Sequence, residues 1–156
     1  MSIEKVREYF KKFDKENSIL EMDESTATVE LAALALDTEE ARIAKSLSFY
    51  GGDSAMVIVT AGDAKIDNKK FKEEFGVKAK MLSPEDAVKF TGHHVGGVCP
   101  FALPDNVKVY LDESMKRFET MFPACGSSNS AIELTLPELE KYSRNIKWID
   151  VCKGWM

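Results

Sequence analysis

Residues 91–106 read TGHHVGGVCPFALPDN. Within them Gly96-Gly97-Val98-Cys99-Pro100 has the form G-x-x-x-P, set between an apolar helix-like segment and an alternating strand. Adjacent glycines let a backbone approach a ligand closely or adopt positive φ. Pro100 then fixes its own φ and holds Cys99 in extended conformations. Such a loop can aim main-chain amides at a carbonyl or an oxyanion, the geometry that ester hydrolysis needs. The plainer reading is a tight turn between two elements.

Working outward, Ile3, Val6, Phe10 and Phe13 fall at helical spacing after Ser2. Ser18 to Met22 is expected as a short strand and Thr28 to Leu36 as a helix. Asp37 with Glu40 looks like the capping box of a further short helix. Lys45 to Phe49 alternates as a strand, Gly51-Gly52 makes a turn, and the apolar run Ala55 to Thr60 is a buried strand. Asn68 to Phe75 is expected to be helical and Val77 to Met81 extended. Ser83-Pro84 opens another helix, with serine as cap and proline in the first turn. Past the glycine loop, Val107, Val109 and Leu111 alternate. Phe118 to Cys125 is expected as a strand, and Ile132, Leu134 and Leu136 alternate again. Pro137 begins a last helix, and Lys147 to Val151 a last strand. Short strands among helices, without regular βαβ repetition, predict an α+β fold with a mixed, curled sheet flanked by helices.

The 156 residues form one expected domain, 1–156, large enough to bury a core without staples. With 44% hydrophobic and 30% charged residues, it has the composition of an ordinary globular protein. No apolar run is long enough for a membrane span, and the charged start MSIEKVREYFKKFD carries no signal-peptide core. Cys99, Cys125 and Cys152 are odd in number and widely spaced, which points to reduced thiols and a cytoplasmic location. A net charge of −5 argues against a protein that coats long nucleic acid, DNA included. The charge is uneven, however. Residues 14–40 carry nine acids against one lysine, and residues 61–80 carry six lysines against four acids. That is either solvated surface or a footprint for a few phosphates at one end of an RNA.

Lys45 is in phase with Leu47 and Phe49, so its ammonium falls on the face expected to be buried. It either snorkels to water or stands at the rim of a pocket, orienting an anionic or carbonyl-bearing substrate. His93 and His94 suggest a metal, but no third ligand has recognisable spacing, and no metal or cofactor is expected. One histidine, His94 for preference, is a candidate to line a cleft. Cys99 is either a packed small residue or, with His94 as base, a thiol nucleophile. The polar loop Ser127-Ser128-Asn129 is either a turn or a wall of the cleft.

Five segments in this order resemble the YbaK/prolyl-tRNA-synthetase-associated domain family of aminoacyl-tRNA deacylases. They are ARIAKSLSF (41–49), AMVIVTAGD (55–63), TGHHVGGVCPFAL (91–103), VKVYLDESM (107–115) and CGSSNSAIEL (125–134). The resemblance runs from about Ile19 to Val151. It implies an editing site built from Lys45 and the loop Gly96, Gly97, Val98, Cys99 and Pro100. Thr28 and Ser127 to Asn129 would line the amino-acid pocket. The implied reaction is metal-free hydrolysis of the ester that joins a wrong, small amino acid to a tRNA 3′ end, proline tRNA being the expected one. The implied partner is aminoacyl-tRNA, with a synthetase as a further one. Family members that act on cysteinyl-tRNA carry an acidic residue where this chain has Ala131, which leaves the subtype open.

Two other readings stand beside this one: a binding module of the same fold without turnover, and a thiol- or metal-dependent hydrolase using Cys99 and His94. On the editing reading, a Cβ added at Gly96 or Gly97 should cost turnover far more than stability.

Overall fold

The computed structural model describes residues 2–155. A six-stranded mixed sheet is its frame, in the order β8-β6-β2-β3-β5-β9. The hairpin of β2 (Ile43–Gly51) and β3 (Ser54–Ala61) lies at the centre, paired in register from Ala44↔Ala61 to Gly51↔Ser54. Its two-residue turn begins with Gly52 at φ 74°, a value that costs glycine little. Parallel strands extend the sheet through β5 (Lys108–Asp112) and β9 (Lys147–Ile149) on one side and β6 (Thr120–Pro123) on the other. The short β8 (Leu134–Thr135) closes the β6 edge. Two small antiparallel pairs flank this frame: β1 (Leu20–Glu21) with β7 (Ser130–Ala131), and β4 (Lys65–Ile66) with β10 (Cys152–Lys153). The fold is α+β with a curled mixed sheet, the class expected from the sequence.

The apolar run of β3 is continuous because this strand is covered on both faces; Val57, Ile58 and Val59 are fully buried. Phe49, Ile58 and Tyr110 share one face by register. There α3 (Asn68–Phe75) packs Phe71 on Phe49 and Phe75 on Tyr110, with ring centroids 5.2 and 5.1 Å apart. A second aromatic cluster joins Phe10 of α1 (Ser2–Lys11), Phe101, and Tyr142 of α5 (Leu136–Ser143), with centroids 4.8 and 5.4 Å apart. Helix termini follow local chemistry. Asp67 caps α3, Ser83 caps α4 (Pro84–Thr91), and Gly76 and Gly92 end these helices in the left-handed conformation. Among the described residues no helix is long and apolar enough to cross a membrane.

Four local expectations change. Asp37 does not open a helix; at φ 53° it terminates α2 (Val29–Leu36), its amide donating to Ala33 and Leu34 carbonyls. Aspartate tolerates this left-handed state, which lets its amide close the last turn of the helix. The next helical turn, Glu40–Arg42, starts after Glu39 without a side-chain cap. Residues 77–81 form no strand beyond a single bridge, Met81 to Phe49. The strand expected over Phe118–Cys125 is shorter, Thr120–Pro123. Of the alternation from Ile132 to Leu136 only β8 is strand: β7 ends at Ala131, the Ile132 amide turns to the Pro123 carbonyl at 3.1 Å, and Leu136 begins α5.

Among the described residues, the one complete capping box is at α5. The Thr135 hydroxyl accepts from the Glu138 amide at 3.2 Å, and the Glu138 carboxylate accepts from the Thr135 amide at 2.9 Å. Thr135→Ala should lower unfolding free energy by about 1 kcal/mol in urea titration, with the denaturant dependence unchanged.

Candidate active site

The outer edge of β2 is paired at both ends and open between them. At its start, Ile43 and Ala44 pair with Phe122 and Pro123 of β6. At its end, the Ser48 carbonyl accepts from the Leu82 amide at 3.0 Å, and the Tyr50 amide donates to the Lys80 carbonyl at 2.9 Å. Main-chain groups of alternate residues point to the same side of a strand, so those of Ser46 face this edge as well. No described segment pairs with them.

A cleft of about 500 Å³ occupies the gap. One wall is Thr26 to Val29 with Ala32 and Leu36 of α2, and the floor is β2 from Ile43 to Ser48. Val95, Gly96 and Val98 of the glycine loop, Gly96 beside Ala27, line the cleft as well, with Met81, Leu82 and Pro84. Phe122, Ala124, Ser130 and Ala131 close one end.

Lys45 is the only charged side chain lining the cleft. It is half-buried, and its Nζ donates to the Ala64 carbonyl. Burial pulls its pKa below the ordinary lysine value, with Cys152 and Asp63 opposing. Asp63 is held ionised by a bidentate Arg117, whose NH1 and NH2 donate at 2.9 and 2.6 Å; this pairing sets its pKa below the usual range. The turn that carries the Ala64 carbonyl is itself close-packed: a Cβ on Gly62 would lie 2.0 Å from the Glu40 carbonyl oxygen.

In the glycine loop, Gly96 has φ 96° and faces Ala27, with 3.5 Å available to a Cβ. The Gly97 amide closes a turn onto the His94 carbonyl at 2.9 Å, so it is not free for a ligand. The amides of Gly96 and Val98 donate to no acceptor among the described residues. An added Cβ on Gly97 would sit 2.9 Å from main-chain atoms of Gly126 and Ser127.

Of the residues singled out in the sequence, Lys45, Thr28, Gly96 and Val98 converge on the cleft. Thr28 is also the N-cap of α2, its hydroxyl accepting from the Leu31 amide at 3.2 Å. His94 is exposed and Gly97 buried, both outside the lining. Pro100 borders a different groove, beside Tyr9 and Ala102. Ser127 to Asn129 stand behind the cleft rather than in it. The Ser128 carbonyl accepts from the Thr26 amide at 2.6 Å, and Asn129 exchanges main-chain and side-chain bonds with Met22 at 2.7 and 3.0 Å. Thr26, Ser46 and Ser48 line the cleft without having been singled out. The two serines alternate with Lys45 along β2, a pattern visible in the sequence, but the open edge that exposes them is not.

Cys99 is fully buried, and burial pushes its thiol up to about 12, leaving no thiolate at neutral pH. Its neighbour is His93, not His94: Sγ lies 3.5 Å from Nε2. His93 Nε2 donates to the Phe101 carbonyl at 2.9 Å, and Nδ1 accepts from the Ser2 hydroxyl. This neutral imidazole ties the two ends of the glycine loop together and to the N-terminal helix. Among the described residues no three His, Cys, Asp or Glu side chains gather as a metal site would require.

Comparison with known proteins places this geometry. The aminoacyl-tRNA editing domain family matches residues 23–142, and the chain belongs to that family. The uncharacterized protein YwhH of Bacillus subtilis (strain 168) is 56% identical over 156 residues, 99% of each chain. EbsC of Enterococcus faecalis (strain ATCC 700802 / V583), named as a candidate Cys-tRNA(Pro)/Cys-tRNA(Cys) deacylase, is 29% identical over 71% of this chain and 69% of its own. A crystal structure described as a candidate trans-editing enzyme for prolyl-tRNA synthetase superposes with a TM-score of 0.87 at 26% identity, covering 98% of both chains.

Two outcomes follow for the loop. Gly97→Ala meets backbone, so it should cost stability as well as turnover, about 1–3 kcal/mol by thermal unfolding; at Gly96 the constraint is φ alone. Burial lowers the pKa of His93, so the unfolded chain takes up a proton near the ordinary 6.5 while the folded chain resists. The stability held by neutral His93 is therefore complete above 6.5 and declines as pH falls towards the folded pKa. His93→Gln should be less stable than wild type at about pH 7.5, and the gap should narrow by about pH 5.

Proposed function

We propose that the chain is a deacylase that hydrolyses the ester of a tRNA charged with a wrong, small amino acid. The observation that carries this reading is one cation, Lys45, in a largely apolar cleft that is also lined by Gly96 and Val98, whose amides are unengaged. An aminoacyl ester is already activated, so positioning and charge stabilisation can supply much of the acceleration. Water attacks the ester carbonyl, and the carbonyl π electrons move onto oxygen, where the loop amides receive the developing negative charge. Collapse of the tetrahedral intermediate expels the ribose 3′ oxygen, which takes a proton, and releases the free amino acid. Lys45 orients the terminal nucleotide or the ester oxygen, held in place by the Ala64 carbonyl.

Alanine and cysteine are compatible in size with the cleft, and proline tRNA is the proposed carrier. The name of the EbsC relative and that of the superposed structure support this choice. Ala131 lines the same cleft.

A deacylation panel of correctly and incorrectly charged tRNAs tests the reading. The protein should clear at least one mischarged species and spare correctly charged ones. Lys45→Ala should lower kcat/KM by about a hundredfold or more, a barrier increase of about 2.7 kcal/mol, while its thermal midpoint stays near wild type. Cys99→Ala should lose about tenfold at most, and EDTA nothing. A loss of several orders of magnitude in folded Cys99→Ala would establish covalent catalysis instead. Binding of charged tRNA with no turnover would make the chain a recognition module.

A further inference from the structure

β4 and β10 set two lysines face to face: Lys65 and Lys153 are register partners in this antiparallel pair. Both are exposed, while Cys152, on the other face of the pair, is fully buried. Directly opposed side chains of antiparallel strands stand about 5 Å apart at Cβ, and like charges there repel. Neither ammonium has an ion-pair partner among the described residues. Asp67 feels the charge of Lys153, but it is already engaged, accepting from the amides of Lys69 and Lys70 at 2.9 and 3.2 Å. Of the neighbouring cations, Lys70 is matched by Asp150 at 3.1 Å and Arg117 by Asp63 at 2.6 Å. The facing pair has no such match. An anion held between the two ammonium groups would turn their repulsion into attraction.

The pair adjoins the place where the Lys45 side chain ends. Lys45 Nζ donates to the Ala64 carbonyl, and Lys65 is the next residue, one Cα step of about 3.8 Å along the chain. The charge of Lys65 reaches Lys45. Neither Lys65 nor Lys153 lines the cleft, so an anion bound there lies beside the cleft and not in it. Lysine holds phosphate as a point charge. In a charged tRNA the ester is on the ribose of the last nucleotide, and the nearest phosphate is on the 5′ oxygen of that same ribose. The α2 wall offers no exit for such a backbone. It belongs to residues 14–40, whose nine acids against one lysine repel phosphate.

Resting on the deacylase reading above, we infer that Lys65 and Lys153 together bind the 5′ phosphate of the terminal nucleotide. They hold it from the β4–β10 pair while the ester on the same ribose meets Lys45. The RNA backbone then leaves the cleft over β4 and β10, away from the acidic stretch.

The test uses the full chain and three esters of an amino acid that the deacylation panel shows to be removed. They are the 3′-aminoacyl ester of adenosine, the same ester of adenosine 5′-monophosphate, and the charged tRNA. Wild type should favour the 5′-phosphorylated ester over the adenosine ester by about tenfold in kcat/KM. Lys65→Ala and Lys153→Ala should each lose most of that preference and keep the adenosine rate. Their thermal midpoints should stand at or above wild type, since the repulsion is gone. Lys65→Arg should keep the preference. On tRNA, the double variant should flatten the slope of log kcat/KM against log salt by about 0.7, as the loss of one single-strand phosphate contact does. Lys141→Ala, which removes an exposed cation from α5, should change none of the three rates. No preference for the phosphorylated ester in wild type, an equal loss on all three esters in the variants, or a matching loss on tRNA in Lys141→Ala overturns this inference and leaves the deacylase reading intact. If the panel shows no amino acid removed, both fall.

Discussion

The cleft exists because β2 lacks a continuous neighbour on its outer edge. β6 pairs with it for two residues and then departs, and the segment around Met81 joins it only from Ser48 onward. Unpaired main-chain groups on a sheet edge would invite another strand. Here α2 and the glycine loop both line the gap and leave a cleft instead. Lys45, Ser46 and Leu47 become a floor rather than core, which is why three consecutive residues of a central strand are only partly buried.

The glycine-loop wall depends on close backbone packing. Gly97 lies against Gly126 and Ser127, and Gly126 lies against Ser2, each approach too close for a Cβ. His93 binds the Phe101 carbonyl across the loop and the Ser2 hydroxyl on α1. The loop is therefore held from behind by the N-terminal helix and the 126–129 turn, while its Gly96 and Val98 amides stay unengaged. Ser127 to Asn129 act through this framing, since they also fasten Met22 and Thr26.

Lys45 is set by competing forces. Burial disfavours its charge, while the Ala64 carbonyl and the nearby Asp63 carboxylate favour it. Arg117 keeps Asp63 ionised and binds the Trp155 carbonyl as well, at 2.6 Å, so the C-terminal segment stabilises the turn that positions the lysine.

Much of this was legible in the chain. The helices from Asn68 and Ser83 follow from capping residues and apolar spacing, which act within one turn. The hairpin follows from a buried run and a glycine turn, and Lys45 stood out because a charge broke an apolar phase. Gly96 was likewise visible as a special backbone position, whereas Thr28 and Val98 came from the resemblance to the family. What the residue order could not convey was where pairing stops. Asp37 ends a helix instead of starting one, its amide closing onto the carbonyls of α2, and of residues 132–136 only Leu134 and Thr135 are strand, because the Ile132 amide bonds to the distant Pro123 carbonyl. Cys99 and His93 share a loop with the cleft yet lie beneath it, and Thr26 and Ser46 drew no notice as ordinary hydroxyl residues. Local propensity acts over a few residues and is written in their order. The open edge of β2 depends on which of several distant strands meets it and for how long, and only the assembled sheet decides that.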